Sequence, residues 1–294
     1  MKKQVSFSAK GHRADIGEYK IQRLLPNRYA DAVGPFVFLD HALPVTHPDN
    51  ELRKKANGTG AHPHRGIATL TYLFNGEAVH LDSRGHYAIV HSGGAQWMKA
   101  GNGIIHDEVI NVDSQLDSNL THGMQFWINL PAKNKAEVPE YLSLQANEIP
   151  KKDLKDNSGW IKVIAGEYEG LSSSIPNYTK QFLFHIHLGG EKQFSVEAEQ
   201  GIEYAAFLPL HNAMINGAEY HAGEFIEFDR NEGVIEISNT SASAIDIILF
   251  GGEHYSEPIV AQGPFVMNTQ HEISDAYNDF YKGSYGEIDY SLVK

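Results

Sequence analysis

Apolar residues in this chain recur mostly at every second position, the period of a half-buried strand, so the sequence predicts a mainly β protein. The clearest run spans Ile67 to Asp82. There Leu70, Tyr72 and Phe74 alternate, Asn75-Gly76 carries the signature of a type I′ hairpin turn, and Glu77 to Asp82 returns. Short strands are expected at Tyr87 to His91, Gln96 to Lys99, Gly103 to Val109 and His122 to Leu130, divided by glycine-rich and polar turns. Strands set this close predict a sandwich or barrel.

The alternation lapses between Pro131 and Gly159, where Lys, Glu, Asp and Asn gather around Pro131, Pro139 and Pro150, the composition of an interdomain crossing. Strands then resume at Trp160 to Ala165, Gln181 to Leu188, Ile202 to Leu210, Phe225 to Asp229, Val234 to Ser238 and Ile245 to Phe250, with a second Asn-Gly turn at Asn216-Gly217. The second half thus reads as an architectural copy of the first. Near the end, Thr269 and Glu272 have capping-box spacing, and Ile273, Tyr277 and Phe280 share one helical face before Gly283. A short C-terminal helix packed on a barrel is expected there.

Composition narrows the function. A chain of 294 residues, 41% hydrophobic, has the length of two domains and can bury a core in each. Asp and Glu outnumber Lys and Arg by 37 to 24, and the net charge of −13 argues against nucleic acid or an anionic membrane as the primary ligand. With no cysteine, thiolate metal sites, iron–sulfur clusters and cysteine nucleophiles are excluded. Any metal must be held by His, Asp or Glu. No apolar run of signal-peptide or bilayer-spanning length follows the basic start, so a cytoplasmic location is expected.

Sixteen histidines yield two His-x-His pairs, His62-Pro63-His64 and His185-Ile186-His187, and one His-x-Glu, His106-Asp107-Glu108. About one of each is expected by chance. In extended backbone, residues i and i+2 share a face, so His62 with His64, and His106 with Glu108, can each present two ligands to one point. In the other pair, Phe182, Phe184, Ile186 and Leu188 claim the inner face, which sends His185 and His187 outward as surface or satisfied histidines. For the first set, spacing alone leaves metal ligation and structural histidines equally open.

Resemblance tips the balance. The segments AHPHRGIATLTYLFNGEAVHLDSRG (61–85), QWMKAGNGIIHDE (96–108), HGMQFWINLPAKNK (122–135) and GGEHYSEPIVAQGPFVMNTQHEI (251–273) resemble four ordered blocks of the pirin family, a branch of the bicupins. The resemblance covers nearly the whole chain. It implies two stacked cupin domains, each a jelly-roll-like β-barrel, which the proline-marked crossing divides into an N-terminal metal-binding domain (1–132) and a C-terminal domain with its extension (133–294). It also implies one mononuclear metal in the first barrel, held by His62, His64, His106 and Glu108. Ala68 stands where many relatives carry an acidic residue, but the implied ligand set does not use that position.

Three imidazoles and a carboxylate would fill a tetrahedral zinc ion, whereas a six-coordinate metal keeps two open positions. Iron(II) is the expected ion, with nickel, cobalt, manganese or copper able to substitute. The activity that the resemblance implies is ring cleavage of a flavonol such as quercetin by dioxygen, with Glu108 as the catalytic base. The rival class is a non-catalytic, metal- or redox-dependent regulator that binds a protein partner. A sugar-phosphate isomerase would need a basic clamp for the phosphate, and Arg65 with Lys99 makes a thin one.

Overall fold

The alternating segments become strands arranged in two units, each built around two larger antiparallel sheets with a small two-stranded ribbon beside them. The computed structural model of the chain describes residues 1–49 and 53–293. By internal contacts the first unit comprises Asp15–Ile21, Ala42–Glu148 and Ser256–Lys294, and the second comprises Met1–Ala14, Gln22–His41 and Ile149–Tyr255.

In the first unit, one sheet has the strand order His62–His64, Ile104–Asn111, Glu77–Asp82, Tyr87–Val90. The other places Glu140–Leu144, Ala95–Lys99, Ile67–Asn75 and Leu120–Asn129 side by side. The register sets His62 opposite His106 and His80 opposite Glu108. The helix Gln270–Tyr281 follows the expected cap: Thr269 Oγ1 accepts from the Glu272 N–H at 3.2 Å, and Glu272 Oε2 accepts from the Asn268 N–H at 3.0 Å. Its buried residues Ile273 and Ala276 pack with Phe265, Met267 and Tyr285. No described helix is long and apolar enough to cross a membrane.

In the second unit, Gln181–Leu188 lies between Ile245–Glu253 and Gly159–Ala165 in a seven-stranded sheet that begins with Val5–Lys10. A four-stranded sheet runs Gln193–Ala198, Gly233–Ser238, Ala213–Ile215, Ala218–Tyr220. Phe182, Phe184, Ile186 and Leu188 join Ile235, Ile237, Ile247 and Leu249 in one core, as their alternation requires.

Three expectations are corrected. Asn75-Gly76 does not close a hairpin: Ile67–Asn75 pairs with Ala95–Lys99 and Leu120–Asn129, while Glu77–Asp82 pairs with Ile104–Asn111 and Tyr87–Val90. The chain changes sheets at Gly76, whose φ is +106° and where a Cβ would lie 2.9 Å from the Asn111 carbonyl oxygen. Burying both strands in separate layers outweighs the local turn preference.

The stretch from Pro131 to Gly159 is not simply a crossing. Glu140–Leu144 pairs with Ala95–Lys99, and Lys151–Asp153 pairs with Gly159–Ala165. Nor do the compact units follow a single cut between residues 132 and 133. Val5–Lys10 pairs with Glu224–Phe228 in the second unit, where it covers an otherwise open sheet edge, and Ser256–Lys294 belongs to the first.

Candidate metal centre

His62 and His64 share a face of a three-residue strand, with Pro63 between them, and the antiparallel register brings His106 alongside. The three side chains each offer a nitrogen within 4.8 Å of the others. His62 Nδ1 lies 2.8 Å from the Gly60 carbonyl oxygen, and His64 Nδ1 lies 3.0 Å from that of Pro264. A carbonyl can only accept, so both Nδ1 atoms carry the proton and both Nε2 lone pairs are free for a metal. His62 Nε2 stands 3.0 Å from His106 Nε2. Two nitrogens bound to one ion at ~2.1 Å and at right angles would be about 3.0 Å apart, so this spacing fits adjacent ligands of one ion. The buried His106 Nδ1 has no hydrogen-bond partner.

Glu108 enters from the same strand two residues beyond His106, but its carboxyl group is held by the facing sheet. Gln96 Nε2 and the Thr71 hydroxyl donate to Oε1, and Gln125 Nε2 donates to Oε2 at 3.2 Å. Oε2 lies 3.9 Å from His106 Nδ1. The structure therefore gathers His62, His64 and His106, and sets Glu108 in an overlapping cluster with His106 and His80.

His80 escaped the sequence reading, as did the residues that hold Glu108. Its Nε2 lies 3.1 Å from Asp82 Oδ2, which also meets His86 Nδ1 at 2.8 Å. Its ring stacks on Tyr141 with centroids 4.1 Å apart, and the Tyr141 hydroxyl donates to Gln96 Oε1 at 2.8 Å. The available signal was the alternation of Glu77–Asp82, which puts His80 and Asp82 on one face.

Burial sets the electrostatics. Loss of solvent, reinforced by His62, pulls His64 down to about 3, and burial with His62, His64 and His80 holds His106 well below the usual imidazole range. Burial raises the Glu108 carboxyl, an effect opposed by His80 and His62. The neutral imidazoles of His64 and His106 beside a carboxyl group form a nitrogen–oxygen donor set that suits a divalent transition ion, and these two rings need shed no proton to bind it.

Other candidates have structural partners. Lys99 Nζ donates to Glu137 at 2.9 Å and Glu140 at 2.6 Å, and Arg65 pairs with Asp279 at 2.7 Å, so both members of the phosphate clamp are engaged. His185 and His187 both contact Asp246 Oδ1, at 2.9 and 2.8 Å, and His187 stacks on Trp160. Glu77, His91 and Asp113 also converge, but His91 Nδ1 meets Asp113 Oδ1 at 2.9 Å and Nε2 meets Gln115 Nε2 at 3.0 Å, which satisfies the ring without an ion. By alternation Ala68 shares the face of its register partner Lys99, opposite to that of Thr71.

Two jelly-roll units, one with clustered nitrogen and oxygen donors inside, define a bicupin. The chain belongs to the pirin family: the family model named Pirin matches residues 18–128, and the Pirin C-terminal cupin domain matches residues 183–286. A pirin-like protein of Arabidopsis thaliana is 32% identical, over 91% of this chain and 82% of its own length. Among solved structures, a quercetin 2,3-dioxygenase from Acinetobacter baumannii is 26% identical with a TM-score of 0.87, covering 98% of this chain and 100% of its own. A bacterial pirin from Escherichia coli, solved in complex with nickel(II), shares the fold at 19% identity and a TM-score of 0.62, over 85% of this chain and 99% of its own.

Proposed function

We propose that this chain is a metal-dependent dioxygenase of the quercetin 2,3-dioxygenase type, which opens a flavonol ring with dioxygen. The observation that carries the reading is the convergence of His62, His64 and His106 beside the carboxyl group of Glu108. Similarity to the Acinetobacter dioxygenase supports the reaction class, and the nickel complex of the Escherichia pirin supports a divalent ion. In this reading His62, His64, His106 and Glu108 hold the ion, with iron(II) favoured by the nitrogen–oxygen donor set. When bound, the ion supplies Lewis acidity and exchangeable positions at which a hydroxy-ketone is polarised.

The residues of the chain supply the proton chemistry. Glu108 takes the flavonol hydroxyl proton at Oε2, the oxygen facing His106. Gln96, Gln125 and Thr71 aim the carboxyl group, and Tyr141 fixes Gln96 in turn. The test is anaerobic loading with iron(II) followed by oxygen-consumption assays on quercetin and related flavonols. Uptake matched to flavonol loss is expected. A fully loaded protein that consumes no oxygen with any of them overturns the enzymatic reading and leaves a metal-dependent binding module.

A further inference from the structure

The second unit contains a cavity of about 850 Å³ between the hairpin that starts at Glu167, the segment 177–184 and the strand Gln193–Ala198. We propose that this cavity is a binding site in its own right and that it takes an organic ammonium ion with an apolar, aromatic-sized body. It lies between the end strand of the four-stranded sheet and strands of the seven-stranded sheet, and is partly open to solvent.

Three features define the ligand. The walls are aromatic: Phe182 lies 5.1 Å from Phe184 and 4.9 Å from Tyr204, and Tyr168 meets Phe184 edge-on at 5.5 Å. Aromatic rings in this arrangement accept both apolar surface and a cation. Tyr204 already does so within the chain, with Lys3 Nζ 5.1 Å from its centroid.

The charge around the cavity is negative. Glu167, Glu169, Glu197 and Glu199 line it against the single cation of Lys180. Lys180 is tied to Glu199 at 2.5 Å, and Glu169 is tied to Lys152 at 2.7 Å. Among the described residues neither Glu167 nor Glu197 has a cationic partner, so two carboxylates remain to attract a cation and repel an anion.

The third feature is a pair of bare oxygens. Gln181 lines the cavity at 4% exposure, and its buried Oε1 has no hydrogen-bond partner. The Thr179 hydroxyl oxygen, also in the lining, is buried and unpaired as well. An unpaired buried acceptor calls for a donor, and an ammonium group brings N–H donors with its charge. A flavonol-like phenol would meet no free cation here, and a carboxylate ligand would meet repulsion.

Isothermal titration calorimetry on the full chain tests this, with 2-phenylethylammonium, 2-phenylethanol and phenylacetate as probes. The ammonium is expected to bind about tenfold or more tightly than the alcohol, with phenylacetate weakest. The double variant Glu167→Gln, Glu197→Gln removes exposed charges only, and it should cut ammonium affinity by about tenfold while leaving the alcohol unchanged. Hydrogen–deuterium exchange should show ligand-dependent protection confined to residues 166–184 and 193–204. Equal binding of alcohol and ammonium, no ammonium binding at millimolar concentration, insensitivity to the double variant, or protection elsewhere overturns the proposal. None of these readouts depends on metal or on oxygen consumption.

Discussion

His62 and His106 face each other through Nε2 atoms 3.0 Å apart, so loss of either leaves the remaining donors without an adjacent ligand. His62→Ala or His106→Ala is expected to lower metal content at least tenfold, measured by elemental analysis after loading and desalting. Glu108→Gln keeps the hydrogen-bonding size of the side chain but removes the base. It should retain part of the metal and lose about a hundredfold or more in turnover, measured by oxygen uptake. The pH dependence follows from His64, whose folded pKa of about 3 lies below the ordinary imidazole value. As pH falls, the unfolded chain takes up this proton first, so the contribution is complete above about pH 6.5 and is lost progressively towards pH 3. Urea denaturation of the metal-free protein should therefore show stability falling with pH across that window. The same burial moves proton competition for the metal below the pH of about 6 that an ordinary histidine sets. At this scale the histidine pairs were legible because i and i+2 share a face. His80 was not, because its relevance comes from lying opposite Glu108 on a neighbouring strand.

Two identical dipeptides separate local preference from context at the scale of elements. Asn216 and Gly217 have φ of +54° and +89° and join Ala213–Ile215 to Ala218–Tyr220 in a hairpin. Asn75-Gly76 instead carries the chain from one sheet to the other. Gly217→Ala should cost about 1 kcal/mol, since only the backbone angle opposes it. Gly76→Ala should cost roughly 2–3 kcal/mol, because a Cβ there also crowds the Asn111 carbonyl. Chemical denaturation of the two variants measures both. The proline-rich stretch misled for a related reason: composition marks where a chain turns, but Glu140–Leu144 pairs because Ala95–Lys99 offers it an edge.

For the whole molecule, the interleaving of segments has a direct consequence. A fragment of residues 1–132 lacks the Pro264 carbonyl that orients His64, Tyr141 over His80, and the Phe265–Tyr285 cluster. It also carries Val5–Lys10 without its partner strand Glu224–Phe228. Such a fragment is expected to fail to form a metal-binding domain. Circular dichroism and metal content after expression check this, and a folded, metal-loaded fragment would contradict it.

The sequence alone determined the two-residue period, the inward face of Gln181–Leu188, the capped helix, and the shared faces of His62 with His64 and of His106 with Glu108. Each depends on residues within one turn or one strand, where covalent geometry dictates which side chains share a face. Only the tertiary structure decided which strands pair, where the chain changes layers, that Glu108 is gripped by Gln96 and Gln125, and which distant segments complete each unit. Those outcomes are set by burial and hydrogen bonding between residues far apart in the chain, and no local pattern encodes them.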